Sequence, residues 1–320
     1  MASRSGPRKG PGQGRGGRAA AGRRSGARTN PTRGARGVGG GAARTGRVVR
    51  GQGTAGGGAP RPAGKSLGGE QVEGRQAVRE LLIAQRRRTH EVWIASDLRD
   101  GDAVDDIVAL ATANRVPISW VARKRLEAEA RSEAPQGVLA KAAPLPEAEL
   151  ATFLRRRPAA GARRAPFLVA VDGVTDPGNL GAIIRSCDGA GADAVIVPRH
   201  RAVHVTPTVA KTASGAVEHV PIALVSGLPT ALQQMRDAGI WVVGLDDAAD
   251  RSLFEVGDLA LEGVCMVLGA EGAGLSRLVR ERCDLIVSIP MLGRLSSLNV
   301  SAAAALATYE IARLRADRGR

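Results

Sequence analysis

The first 69 residues contain no Asp or Glu, and no Phe, Trp or Tyr either. A segment without apolar anchors cannot bury enough surface to offset the entropy of ordering, so residues 1–69 are expected to be a disordered tail. The tail holds 15 Lys or Arg and 22 of the 42 glycines. The whole chain has 46 basic and 31 acidic residues, so residues 70–320 carry 46 − 15 = 31 of each, and the net charge of +15 resides in the tail. A solvated Arg/Gly-rich segment attracts polyanions through phosphate contacts and counterion release, which points to RNA. A spacer enriched in Arg, Gly and Ala by genomic base composition reads the same way. No apolar run is long enough for a signal peptide or a membrane span. The tail is acid-free like a transit peptide, but its glycines oppose an amphipathic helix. The expectation is a soluble, cytoplasmic protein with no membrane partner. Cysteines are few: Cys187, Cys265 and Cys283 are odd in number and far apart, which excludes a disulfide framework and a zinc pattern. They read as buried free thiols. The four histidines lack metal-ligand spacing, so no metal is expected; His200 and His204 lie between Pro198 and Pro207, in a loop.

What is present begins near Glu70. Ala77, Val78, Leu81 and Leu82 have helical spacing within Gly74–Ala84. A strand-like run, Glu91–Ala95, follows, then a helix over Asp102–Asn114, a strand over Pro117–Val121, a charged helical piece from Arg123 and a strand over Val138–Ala140. This predicts a small α/β domain over residues 70–141. Residues 142–165, with Pro144, Pro146, Pro158 and two basic clusters, Arg155–Arg157 and Arg163–Arg164, read as a linker. From Phe167 short continuous apolar runs alternate with helical segments. Strands are expected over Phe167–Val171, Ala194–Val197, Val217–Ile222, Ile240–Leu245, Val264–Leu268 and Leu285–Ile289. Helices are expected over Ala182–Ala190, Pro207–Ser214, Leu228–Ala238 and Leu298–Arg315. Residues 166–320 therefore form an α/β domain with a mostly parallel sheet covered on both faces. Such sheets bind ligands beyond the carboxyl ends of their strands.

Three loops at those ends are unusual. Asp172–Arg185 contains Asp176-Pro177-Gly178-Asn179, a turn whose Asn179 would cap the following helix. Gly269-Ala-Glu-Gly-Ala-Gly274 has glycines that allow close backbone approach, but not in the dinucleotide spacing, and Glu271 would repel a phosphate. A cationic ligand suits it better. Pro290–Ser301 ends in Ser296-Ser297-Leu298-Asn299, where either serine would cap the last helix.

Together these segments resemble the three signature motifs of the SpoU-type RNA methyltransferases of the SPOUT superfamily. The matches are Asp176-Pro177-x-Asn179-x-Gly181-x-x-x-Arg185, then Leu268-Gly269-x-Glu271-Gly272-x-Gly274, then Ile289-Pro290-Met291-x-Gly293-x-x-Ser296-Ser297-Leu298-Asn299-Val300-Ser301. Lys211–Glu218 is also similar to the family. Residues 70–141, opening with Glu73-Gly74-x-x-Ala77-Val78, resemble the L30e-like substrate domain of the branch that methylates 23S rRNA guanosine. Pro135 stands where family members often carry His before Gln136-Gly137. The resemblance implies a trefoil knot, a homodimer, S-adenosylmethionine as cofactor and RNA as substrate. Backbone at Gly269, Ile289 and Leu298 would hold the cofactor, with Gly272 and Met291 beside it. Asn179, Glu271, Ser297, Asn299 and Arg185 would be catalytic, Arg185 across the dimer. An Arg keeps its proton, so Arg185 would act by polarising the ribose oxygen. A tRNA target, an rRNA adenosine, a base instead of a ribose, or a non-catalytic RNA-binding role are the competing readings.

Overall fold

The computed structural model describes residues 66–99, 102–155, 165–200 and 204–317. Most of the Arg/Gly-rich tail and, Arg155 apart, the basic clusters of the linker lie outside the described residues.

The first sheet has four strands, β1 (Gln71–Glu73), β2 (Thr89–Ala95), β3 (Ile118–Val121) and β4 (Val138–Ala142), in the order β1-β4-β2-β3. Side chains alternate across a strand. Val92 and Ile94 therefore face α1 (Arg75–Ala84) and α2 (Asp105–Ala113), while Trp93 and Ala95 face α3 (Arg123–Glu129). β1 was not anticipated, because two of its three residues are polar. Glu73 is nevertheless fully buried, and its carboxylate accepts hydrogen bonds from Arg131 N (2.7 Å), Ser132 N (2.9 Å), Ser132 Oγ (2.5 Å) and Gln71 Nε2 (2.7 Å). That satisfaction makes burial of the charge tolerable.

The second sheet is wholly parallel, ordered β10-β8-β9-β5-β6-β7. Its strands are β5 (Phe167–Val171), β6 (Ala194–Pro198), β7 (Ile222–Val225), β8 (Trp241–Leu245), β9 (Val264–Leu268) and β10 (Leu285–Val287). Phe167, Val169 and Val171 of β5 face α5 (Pro177–Ala190), α6 (Pro207–Thr212) and α9 (Val300–Asp317). Leu168 and Ala170 face α4 (Leu150–Leu154), α7 (Leu228–Asp237) and α8 (Arg277–Arg280). Coverage on both sides explains why β5 and β9 are apolar at every position.

Three expectations are corrected. The order begins before residue 70: Leu67 is buried in the core of the large sheet, and Val205 N donates to its carbonyl at 3.0 Å. The segment read as linker contains α4, whose Phe153 is only 4% exposed, and β4 runs on to Ala142. The strand expected over Val217–Ile222 is instead a 3-10 turn, Ala216–Glu218, followed by β7. Ser214 and Gly215, with φ of 51° and 86°, turn the chain from the end of α6 directly into this piece, which leaves no extended run there.

The C-terminal helix is latched by Arg315. Its buried guanidinium donates to the carbonyls of Ala260 (2.7 Å), Ala165 (2.8 Å), Pro166 (3.1 Å) and Glu262 (2.8 Å) and lies over the Phe167 ring. These bonds tie α9 to the amino-terminal edge of β5 and fix the axis on which its first turn reaches the opposite, ligand-binding edge.

Candidate active site

After β5, Asp176 caps α5: its Oδ1 accepts from Asn179 N at 2.6 Å, and Pro177 occupies the first helical position, where no N–H is needed. Asn179 is therefore not the cap, and its side chain is free to act elsewhere. Gly181 lets α5 press on α6, since a Cβ there would sit 2.7 Å from Val209 O.

After β9, the chain doubles back. Ala270 and Gly274 exchange backbone hydrogen bonds (3.0 and 2.9 Å), and Glu271, Gly272 and Ala273 form the exposed tip. A Cβ at Gly269 would lie 2.3 Å from Gly274 C, so no larger residue fits the base of this turn. Asp172 at the end of β5 accepts from Ser276 N at 2.7 Å and secures the far side of the loop.

After β10, an extended segment leads to α9. The helix is capped by neither Ser296 nor Ser297. Asn299 Oδ1 accepts from Ser301 N (2.9 Å) and Ser301 Oγ (2.6 Å), while its carbonyl accepts from Ala303 N (3.0 Å). That is the geometry of an N-cap.

The three loops are joined by one hydrogen-bond chain. Ser301 N can only donate, so the atom of Asn299 facing it must be the oxygen. Asn299 Nδ2 then donates to Asn179 Oδ1 at 3.1 Å, and Asn179 Nδ2 donates to Glu271 Oε2 at 3.3 Å. The direction of the chain runs from the start of α9 to the Glu271 carboxylate, with neither amide able to flip without losing a bond.

Beside this chain lies a cleft of about 490 Å³. Gly269, Glu271, Gly272, Ile289, Met291, Ser297, Leu298 and Asn299 all line it. Asn179 touches it through its two hydrogen bonds. Arg185 does not. It lies on the exposed side of α5, and its side chain has no hydrogen bond or ion pair among the described residues. Its distance from Asn179, six residues, turns it about 240° around the helix axis, onto another face.

Leu245, the last residue of β8, and Asp246 and Asp247 just after it also line the cleft and were missed in the sequence. The signal was available: they end a strand of the same sheet, where the other loops were sought. Asp246 receives Arg280 Nη1 at 2.5 Å and Ala248 N at 3.0 Å. Burial pushes its carboxyl up, but Arg280 and the backbone N–H groups of Ala248 and Leu275 outweigh it and hold the pKa below the usual range. The cleft is thus lined by three carboxylates, Glu271, Asp246 and Asp247, and by no Lys or Arg, with apolar walls from Leu245, Leu268, Ile289 and Leu298. It suits a cation with an apolar body.

Known proteins give the same picture. Residues 166–309 match the SpoU rRNA Methylase family, and residues 71–148 match the RNA 2'-O ribose methyltransferase substrate binding family. The 23S rRNA (guanosine-2'-O-)-methyltransferase RlmB of Pseudomonas putida is 38% identical over 77% of this chain and 97% of its own length. The chain belongs to the SpoU methylase family. Another SpoU relative, YacO of Bacillus subtilis, named for the TrmH family of tRNA/rRNA methyltransferases, is 38% identical over 77% of this chain and 96% of its own. Among solved structures, the SpoU methyltransferase AviRb of Streptomyces viridochromogenes in complex with AdoMet is 28% identical. It superposes with a TM-score of 0.63 over 77% of this chain and 90% of that one.

Among the described residues of this SpoU methylase, no group of three His, Cys, Asp or Glu side chains converges to hold a metal ion, and no helix is long and apolar enough to cross a membrane. All three cysteines are free. Cys187 and Cys265 are buried, and burial raises both thiols; Cys283 is partly exposed, with its thiol pushed up to about 12, chiefly by burial.

Proposed function

We propose that the protein transfers a methyl group from S-adenosylmethionine to the ribose 2'-hydroxyl of a guanosine in 23S rRNA. One observation carries the reading: all three motif loops are joined by a single directed hydrogen-bond chain beside a carboxylate-lined cleft. The name of the Pseudomonas putida relative supports the target, and the AdoMet complex of AviRb supports the cofactor.

The cleft fits that cofactor. Glu271 and Asp247, which no cation pairs among the described residues, suit its sulfonium and ammonium, and the apolar walls suit its adenine. Backbone at Gly269, Ile289 and Leu298 would hold the adenosine end, with Gly272 and Met291 alongside. When bound, the cofactor supplies an electrophilic methyl group. The chain's own task is then positioning: Glu271, Ser297 and Asn299 line the reaction centre and hold the ribose in line, and Asn179 fixes Glu271 and Asn299 relative to each other. Arg185 faces solvent, so we assign it to the active site of a second copy, where it polarises the 2'-oxygen beside a phosphate. A homodimer accounts for this, and for the exposed Leu306 and Tyr309 on α9, the helix that packs against α5.

We further infer that the C-terminal segment is knotted. β10 pairs at the far edge beside β8, yet α9 returns to α5 on the other side of β9, so the chain must cross the loops after β8 and β9. The division of labour follows the two sheets: the small domain, from about residue 70 to the end of β4 at Ala142, binds substrate, the following segment connects and packs α4 on the large sheet, and residues 166–320 catalyse, in the cytoplasm. A second reading, transfer to a tRNA ribose, is supported by the name of YacO.

The test is a ribose-methylation map of cellular RNA with the gene present and deleted. Loss of one 23S guanosine mark, restored by the wild type but not by Asn299→Ala, is the expected result. A lost tRNA mark favours the second reading. No lost ribose mark, with an altered base in digested RNA, overturns both.

A further inference from the structure

A second concave site lies on the small domain, at the end of α1 away from Gly74. α1 has ten residues, so the two ends are about 15 Å apart. The hollow, of about 610 Å³, is lined by Arg86, Arg88, His90 and Arg115 together with Gln85 and Asn114, and by no Asp or Glu. The neighbouring Arg87 turns inward to a buried carboxylate, Glu218. Arg86 is held by the carbonyls of Glu218 and His219. Arg88 and Arg115 are exposed, and their side chains have no hydrogen bond or ion pair among the described residues.

Charges that only complement the ends of α1 and α2 would have carbonyls to serve. Five of those carbonyls, at Leu81, Leu82, Leu110, Ala111 and Thr112, are already served without either arginine side chain. Val116 N donates to Ala111 O (2.8 Å), Arg115 N to Thr112 O (3.0 Å), Gln85 N to Leu81 O (3.3 Å) and Asn114 Nδ2 to Leu82 O (2.7 Å). The backbone adds an independent argument. Gln85 and Arg115 follow the two helices in the left-handed region, with φ of 47° and 55°. Glycine holds that conformation with less strain. Gln85 Nε2 donates to Asn114 Oδ1 at 2.7 Å, which accounts for its side chain, whereas Arg115 lines the hollow in the same strained conformation with no partner among the described residues.

We propose that this hollow is a second RNA-backbone site, in which Arg88 and Arg115 contact phosphates of a duplex arm beside the methylated nucleotide. The proposal rests on the reading that the substrate is structured RNA. Two guanidinium groups in a hollow lined by no carboxylate match phosphate better than any neutral ligand.

The test uses the full chain and the variant Arg88→Gln/Arg115→Gly. Glycine suits the backbone at 115, so the fold is retained, which thermal unfolding checks. Binding of a 23S rRNA transcript is measured over a salt series. Loss of two phosphate contacts should weaken binding by about 25-fold at low salt and reduce the slope of log K against log salt by about 1.5, while S-adenosylmethionine affinity stays unchanged. Equal affinity and equal slope overturn the proposal, and so does weaker binding with an unchanged slope. If the wild type methylates no RNA ribose but the difference in slope persists, the proposed activity fails and this site stands. Unchanged RNA binding with lost binding to phosphatidylserine vesicles would assign the hollow to a lipid surface and overturn it.

Discussion

Asn299 does two jobs with two ends of one amide. Its oxygen caps α9 and its nitrogen donates to Asn179. The two substitutions Asn299→Ala and Asn299→Asp separate them. Ala loses both and should cost about 1 kcal/mol of stability through the cap. Asp keeps the cap but cannot donate to Asn179, so stability should hold while methyl transfer falls about 100-fold, read by single-turnover kinetics beside thermal unfolding. Equal activity of Asp and wild type would remove the hydrogen-bond chain from catalysis. Arg185 offers the converse separation. It is remote from the cleft of its own chain, so Arg185→Ala should lower transfer about 100-fold yet leave the cofactor Kd within about twofold by calorimetry. Asp246 gives a pH test. Its folded pKa is depressed, so its contribution to stability is present above its unfolded value near 4 and is lost as pH falls through the lower folded value. Asp246→Asn should therefore be less stable than wild type at pH 7, and the gap between the two melting temperatures should start to close only as pH falls below about 4. At this scale the motif residues were legible because their types and spacing are local. Their partners were not. Asp176 took the cap expected of Asn179, and Asn299 the cap expected of Ser296 or Ser297, because capping depends on where the helix starts, which is decided by packing.

Elements buried on both faces were the easiest to find. β5 and β9 announce themselves by uninterrupted apolar residues, and α1 by its apolar stripe. Short elements held only by long-range contacts were invisible. α4 has five residues, too short to persist alone, and its sequence neighbourhood is rich in proline. It is held by packing: Phe153 is buried in one cluster with Leu168, Ala223 and Leu232, and Leu150 and Leu154 pack against the same cluster. Phe153→Ala should then cost about 3 kcal/mol in denaturant unfolding, the price of a core phenylalanine. A loss under about 0.5 kcal/mol would return the segment to the status of a linker. The 3-10 turn at Ala216–Glu218 teaches the same lesson from the other side. Its apolar run reads as a strand, but the turn at Ser214 and the burial of Val217 and Val220 against α5 fold it into a short helical piece.

At the scale of the whole molecule, the small domain is fixed to the catalytic domain by a pair that no local pattern reveals. Arg87 Nη2 and Nε meet Glu218 at 2.5 and 3.0 Å across 131 residues of sequence, with both side chains at most 3% exposed. The remaining Arg87 nitrogen donates to Gly69 O and Ala143 O, at the two chain crossings between the domains. His219 and Glu80 add a second, more exposed link at 2.9 Å. Two charges taken out of water contribute little net stability as a pair, but one left alone is costly. Glu218→Ala strands the Arg87 cation and should cost about 3 to 5 kcal/mol, whereas the pair Arg87→Met with Glu218→Leu should recover most of it. If docking of the small domain delivers RNA to the cleft, Glu218→Ala should also raise the KM for RNA and leave the cofactor Kd unchanged, because Glu218 lies outside the cleft lining. Hydrogen exchange would then quicken at Gly69 and Ala143 before it quickens in β5. Exchange that quickens everywhere at once would mean that the pair holds up the fold as a whole and does not govern how the two domains meet.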